Sequence, residues 1–321
     1  MHFARRRLFL RLVLINLSMV IEWCHAKVDE AKVDEAKINE AKARGFGRKG
    51  GRAVNTIASA VRAWIERAIA AAPEGHVPLL MLSGPQGSGK STALAKATET
   101  ISLPIAGASI DDFYLTHAER MELARRISPL FMTRGPPGTH DLTLLAKTVS
   151  TLRSAVCETE TLLPVFNKLK DDRTPVSDWN SFTGRPAAIV IEGWLMGALP
   201  DARAAMDAPL NPVEAEDRTG DWRRHQESAL AGTYSDLWDA ADGFCHIVPP
   251  DFDCILGWRL EQEAGLWAAR GEPMPDERRD WVRRFVEHYE RLTRRMLAGG
   301  RRPGAEIHID EDRKVVRNSA G

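Results

Sequence analysis

Apolar and polar positions alternate along this chain in a way that predicts strands and helices taking turns. Residues 57–72 carry Val61, Trp64, Ile65 and Ala68 at helical spacing, the packing face of a lead-in helix. Residues 77–83 form a short apolar run suited to a buried strand, and residues 92–99 have the alanine, leucine and lysine content of a helix. A weaker strand is expected over 103–109, a helix over 142–156 and an extended stretch over 162–166. The uninterrupted apolar run 187–191 predicts a strand covered on both faces. Beyond it, the pattern predicts a helix over 223–237, a strand over 252–256, a helix over 259–269, a long amphipathic helix over 281–297 and a last strand over 306–309. Strands alternating with helices imply an α/β fold with a mostly parallel sheet between two helical layers. Glycine and proline clusters at 135–138 and 271–275 mark loops.

At 321 residues the chain has room for one elaborated α/β domain or two modest ones. Its 44 basic and 44 acidic side chains cancel, so no global positive field exists to hold a nucleic-acid backbone, and nucleic acid is not an expected partner. Cys24, Cys157, Cys245 and Cys254 are scattered, with no C-x-x-C spacing and no zinc-type cluster. They are expected to be buried thiols in a reducing compartment.

The first 55 residues differ from the rest and are expected to be a leader and charged repeat segment, disordered or non-native, ahead of a compact domain over 56–321. Arg5, Arg6 and Arg7 precede an apolar stretch over 8–21, the outline of a secretory signal or short anchor. The stretch is short for a span and is interrupted by Arg11, so no stable membrane insertion is expected. Three five-residue repeats beginning at Val28, Val33 and Ile38 follow, and a period of five keeps no single apolar face on a helix.

Candidate chemistry begins at Gly84, Pro85, Gln86, Gly87, Ser88, Gly89, Lys90, Ser91 and Thr92, a phosphate-binding loop between a predicted strand and a predicted helix. Its glycines let successive N–H groups turn onto an anion, and the helix N-terminus adds its own donors. Lys90 is placed to reach the β- and γ-phosphates of ATP, and the Ser91 hydroxyl to ligate Mg²⁺. In parallel sheets ligands bind beyond the carboxyl ends of the strands. Asp111 and Asp112 end one predicted strand and Glu192 another. Asp111 is the candidate base for an acceptor hydroxyl, with helix capping as its alternative, and Asp112 reads equally as a cap. Glu192 suits the Mg²⁺ shell, or else a capped turn. Arg134, His140 and Asp141 flank a Pro-Pro-Gly turn, where an arginine can grip a carboxylate bidentately. Lys168 and Arg173 lie in a mixed charge run that reads by default as wet surface. Arg259 is a candidate lid arginine.

Read together, these segments resemble the D-glycerate 3-kinase family. The likeness is carried by the loop at 84–91, Ser109-Ile-Asp-Asp-Phe-Tyr-Leu-Thr116, Arg134-Gly-Pro-Pro-Gly-Thr-His-Asp141, Pro164-Val-Phe-Asn-Lys168, Asp172-Arg173, Ile191-Glu-Gly-Trp-Leu-Met-Gly197, Trp258-Arg-Leu-Glu-Gln-Glu263 and Phe285-Val-Glu-His-Tyr-Glu-Arg-Leu-Thr293, in unbroken order over about 57–317. More distantly the chain resembles pantothenate, uridine and phosphoribulokinases. The resemblance implies a P-loop NTPase fold, three-layered with a five-stranded sheet, a lid helix and helical insertions. It further implies ATP- and Mg²⁺-dependent phosphorylation of D-glycerate at its terminal hydroxyl, in the cytoplasm. By the same resemblance Lys90, Asp111, Glu192 and Arg259 would be catalytic, and Asp111, Tyr114, Arg134, His140, Lys168 and Arg173 would face the acceptor. The family's eukaryotic members tend to read Tyr-Asp-Lys-Ser where this chain has Phe166-Asn-Lys-Leu169, which leaves another small hydroxylated metabolite open as acceptor. A nucleotide-gated binding protein is the rival of a different class. It would need no acceptor-side carboxylate.

Overall fold

In the computed structural model, described for residues 56–269 and 271–319, the chain divides into two compact units. One comprises residues 55–166 and 173–321 and carries the sheet; of the other, only 167–172 lies among the described residues. The leader, the charged repeats and Cys24 lie outside the described residues; of the other cysteines Cys245 is buried as expected, whereas Cys157 is exposed and Cys254 half-buried.

The larger unit opens with helix α1 (Ile57–Ala71), started by a reciprocal cap in which Thr56 and Ser59 exchange side-chain and backbone hydrogen bonds. Strand β1 (Leu79–Ser83), helix α2 (Lys90–Thr100) and strand β2 (Ile105–Ser109) follow. Helices α3 (His117–Arg126) and α4 (Leu142–Ser154) flank the Pro-Pro-Gly loop, and β3 (Glu160–Leu163) pairs antiparallel with β4 (Asn180–Thr183) in a small hairpin. Then come β5 (Ala188–Gly193), α5 (Pro212–Glu216), α6 (Asp221–Ala229), α7 (Ser235–Asp239) and β6 (Gly243–Val248). The chain ends in α8 (Asp253–Ala268), α9 (Asp276–Glu287), α10 (Glu290–Leu297), β7 (Ala305–Ile309) and β8 (Val315–Asn318).

The main sheet has the order β8-β7-β6-β1-β5-β2. Five strands run parallel, and β8 adds an antiparallel sixth that pairs with β7. Every residue of β1 and β5 is buried, as strands sandwiched between helical layers must be. Leu79, Met81, Ile189 and Ile191 enter one apolar cluster, with Trp194, Tyr234, Trp238 and Leu292. Leu80, Leu82 and Val190 enter the opposite cluster, with Val61, Ile65, Leu94 and Ile255. That two-sided split is the period-two alternation of a strand read in three dimensions.

Several elements depart from the pattern reading, among them the helix expected over 223–237, which is broken at Gly232 between α6 and α7. The expected strand over 252–256 is the first turn of α8, because Phe252, Ile255 and Trp258 recur every three residues and bury one helical face. The strand beside β1 is β6, in register Leu82 to Cys245 and Ser83 to His246. The polar His246 interrupts its apolar run, and that residue is tolerated because Nε2 meets the Arg302 carbonyl at 2.8 Å. The long helix expected over 281–297 is two, parted at His288 and Tyr289.

Candidate active site

The loop between β1 and α2 is folded as an anion cradle. Gly87 and Gly89 take φ of 79° and 84°, and Gly89 is the cap from which α2 departs. A β-carbon on Gly87 would stand 2.8 Å from the Trp258 β-carbon of α8, so residue 87 must be glycine for that helix to close over the loop. The Gly84 amide donates to the Gly193 carbonyl at 3.1 Å, fastening the loop to the adjacent strand. From its outer side Arg313 donates to the Gly87 carbonyl at 2.8 Å while its guanidinium lies 5.0 Å from the Trp258 ring centre.

Glu192 stands at the carboxyl end of β5, in register with Leu82 on one side and Ser109 on the other. It is 4% exposed, a burial few carboxylates tolerate without a charge partner. The Ser91 hydroxyl donates to Oε1 at 2.6 Å, and Lys90 Nζ lies 3.9 Å from Oε2. Among the described residues Oε2 has no hydrogen-bond partner. A hydroxyl and a carboxylate with one oxygen that accepts no hydrogen bond form a hard-oxygen pair that fits Mg²⁺. Among the described residues there is no cluster of three or more acidic, histidine or cysteine side chains for a metal. Phosphate-bound Mg²⁺ needs none, since phosphates and water complete its shell.

One strand further, Asp111 follows β2 inside a single 3₁₀ turn (Ile110–Phe113). Strands about 4.8 Å apart put it in the same row of strand ends as Glu192 and Gly84. The Tyr114 hydroxyl donates to Asp111 Oδ1 at 2.7 Å. Burial, then the charge of Asp111, lifts the Tyr114 hydroxyl well above the usual phenol range, so it remains a donor at neutral pH. Asp112 instead accepts from the Phe166 amide at 3.2 Å and braces the chain there.

The Pro-Pro-Gly loop is laced onto this turn. Leu115 donates to the Thr139 carbonyl at 2.9 Å and Asp141 to the Phe113 carbonyl at 2.7 Å. Arg134 is half-buried, its guanidinium 5.6 Å from the Phe166 ring centre, and its carbonyl accepts from the Tyr289 hydroxyl at 2.6 Å. His140 is packed behind Tyr114 with ring centres 4.7 Å apart. Burial pushes its imidazole down to about 4, against the opposing pull of Asp111, so the ring is neutral at pH 7. Arg173 donates to the Tyr114 carbonyl at 2.8 Å and lies 3.2 Å from Asp141, which itself caps α4. Lys168 belongs to the separate segment 167–172, a turn in which Asn167 Oδ1 accepts from the amides of Leu169 and Lys170.

Arg259 sits midway along α8 with its guanidinium 5.6 Å from the Phe285 ring centre, and it donates to Gln262. Burial, together with the charges of Arg278 and Arg134, lowers its pKa, while Glu263 and Tyr289 oppose that. Arg259 therefore feels the charges of Glu263, Arg278 and Arg134 together.

Pattern reading missed Tyr234, Tyr289 and Trp194 as parts of this site. Tyr289 and Trp194 clamp the loop: the Trp194 indole donates to the Gly135 carbonyl at 3.2 Å, and a β-carbon on Gly135 would stand 2.6 Å from Tyr289. Trp194 and Tyr289 did fall in stretches that carry the family likeness, whereas nothing local marks Tyr234.

No protein-family model matches the chain. It is 35% identical over 233 residues to a Schizosaccharomyces pombe protein named uncharacterized kinase mug58, across 68% of this chain and 80% of that one. It is 30% identical over 263 residues to the chloroplastic D-glycerate 3-kinase of Arabidopsis thaliana, across 75% of this chain and 54% of that one. The fold is similar to that of D-glycerate 3-kinase from Cryptococcus neoformans, with a TM-score of 0.66 and 26% identity over 84% of this chain and 99% of that one.

Proposed function

The chain belongs to the D-glycerate 3-kinase-like family of P-loop kinases, and within that family we propose that it phosphorylates the terminal hydroxyl of D-glycerate with ATP to give 3-phosphoglycerate. That it is an ATP-dependent kinase follows from the family; the acceptor is our reading. The observation carrying it is the placement of Asp111, tied to Tyr114, at a strand end one strand from Glu192, with the Arg134 loop laced onto the same turn.

In this reading the backbone N–H groups of the loop that follows Pro85 cradle the ATP phosphates, and Lys90 neutralises charge on the β- and γ-groups. Ser91 and Glu192 would hold Mg²⁺, which would supply neutralisation of the phosphate charge. Asp111 accepts the proton of the acceptor hydroxyl as its oxygen bonds to the γ-phosphorus and the bond to the ADP oxygen breaks. Tyr114 donates to the other side of that carboxylate and fixes its direction. Arg134 holds the glycerate carboxylate, and Arg259 approaches the transferring group from the lid helix. His140 and Arg173 support Tyr114 and the loop from behind. A small carboxylate suits the planar fork of an arginine, a grip that an uncharged nucleoside could not use. Residence in the cytoplasm belongs to the same reading, because the reaction needs ATP and Mg²⁺. Among the described residues no helix is long and apolar enough to cross a membrane.

The test is a coupled ADP-release assay with Mg-ATP across D-glycerate, L-glycerate, pantothenate and uridine, with the phosphorylated position read by NMR. We expect a clear preference for D-glycerate and phosphate on its terminal oxygen. Preference for another acceptor, or ATP hydrolysis with none, overturns the assignment of substrate.

A further inference from the structure

Between α6 and α7 the helix opens into a π-turn over Leu230–Tyr234, with Gly232 at φ −104° and ψ −109°, far from helical values. Such bulges weaken a helix locally and are found where they re-aim a side chain. This one turns the 1% exposed Tyr234 onto the Pro-Pro-Gly loop. The Gly138 amide donates to the Tyr234 oxygen at 3.1 Å, and the same oxygen lies 2.5 Å from His140 Nδ1. One hydroxyl thus holds the loop at two points on either side of Thr139.

We propose that Tyr234 is a positioning residue for phosphoryl transfer: its hydroxyl donates to His140 Nδ1, fixes the ring as the Nε2–H tautomer, and so holds the surface against which Tyr114 and Asp111 are set. The direction of that hydrogen bond follows from the Gly138 contact. With its oxygen already accepting from an amide, the phenol's own proton finds its acceptor in Nδ1. A neutral imidazole then carries its proton on Nε2, an atom that is buried and without a partner among the described residues. Burial that pushes the imidazole down to about 4 keeps it neutral through the physiological range. The ring is packed against Tyr114, and the Tyr114 hydroxyl reaches Asp111. A sequence-remote hydroxyl is therefore linked through two aromatic side chains to the carboxylate that takes the acceptor's proton. This inference rests on the role given above to Asp111.

Tyr234→Phe keeps the ring and its packing and removes only the hydroxyl. With the acceptor that the wild-type enzyme uses, we expect kcat to fall about 10-fold, the scale set by small displacements of reacting groups, while the KM for ATP stays within about 2-fold. A kcat unchanged in that variant, or an ATP KM that rises in step with the fall in kcat, would overturn the proposal. The ring itself is read separately by ¹⁵N NMR of the histidines in the wild-type protein, with His140→Asn identifying its signals. The Nε2–H tautomer at pH 7 is expected, and an Nδ1–H tautomer or an imidazolium overturns the proposal. That measurement involves no acceptor, so it stands whether or not D-glycerate proves to be the substrate.

Discussion

The Ser91 hydroxyl and the Glu192 carboxylate meet at 2.6 Å, joining the first turn of α2 to the end of strand β5. Lys90 approaches the other oxygen of the same carboxylate at 3.9 Å. A buried acid that shares a hydroxyl and a nearby ammonium is ready to exchange both for a metal ion and a polyphosphate. Glu192→Gln keeps the shape and the hydrogen-bond acceptor but removes the charge. We expect the Mg²⁺ concentration for half-maximal turnover to rise at least about 10-fold, and EDTA to abolish turnover of the wild-type enzyme. A magnesium titration of initial rates decides it, and coincident curves for the two proteins would take Glu192 out of the metal shell.

Lys90→Ala removes charge stabilisation from a transfer that is almost wholly electrostatic. Turnover is expected to fall by about 10² or more, with the fold unaltered by circular dichroism. Near-wild-type rates in the variant would remove this loop from catalysis.

Asp111→Asn retains size and the contact to Tyr114 while deleting the proton acceptor. ATP affinity, read by nucleotide titration, should stay close to wild type, and kcat should drop about 10²-fold. An unaltered kcat shifts the base role to Asp112 or Glu192.

Arg134→Lys retains charge but loses the planar fork. The KM for glycerate should rise several-fold more than the KM for ATP. Parallel changes in both constants would make Arg134 a support of the loop or nucleotide and not a grip on the acceptor.

His140, His246 and His288 are each pushed down to about 4 by burial, well below the ordinary imidazole value. The unfolded chain protonates these rings near pH 6.5 while the native state keeps them neutral. The unfolded state therefore binds more protons, and stability falls as pH drops from about 6.5 to about 4, by up to about 1.4 kcal/mol per pH unit for each ring. Melting temperatures measured from pH 7 to pH 4.5 should fall across that window, and His246→Gln should flatten part of the slope. A melting temperature that is flat over the range would show that the rings are solvated.

The central strands and the phosphate loop were legible locally because each depends on neighbours in sequence. A parallel strand buried on both faces must be an apolar run, and β1 and β5 are such runs. Glycine at 87 and 89 is needed for a left-handed backbone, a property of the residue itself. The strand beside β1 was illegible because His246 breaks its apolar pattern, and the carbonyl that satisfies it, from Arg302, is 56 positions away. The break between α9 and α10 escaped notice for a similar reason. The 281–297 run is amphipathic throughout, while the Tyr289 hydroxyl bonds to the Arg134 carbonyl, 155 positions distant.

The candidate site divides along the same line. Lys90, Ser91, Asp111 and Glu192 stand out in the chain because short-range order, strand then loop or turn, carries each to a strand's carboxyl end. Their row depends only on β1, β5 and β2 lying side by side, which an α/β chain of this pattern brings about. What surrounds that row could be decided only by tertiary structure. Tyr234 reaches His140 across 94 positions, through a bulge with no local signature, and Arg259 comes near Arg134 only once α8 has folded over the loop. Sequence by itself determined the phosphate cradle and the carboxylates, since backbone conformation and strand polarity are local physics. The fold alone decided which distant hydroxyls and guanidinium groups orient them, because a hydrogen bond's direction is set by packing between elements that carry no record of one another in their own residues.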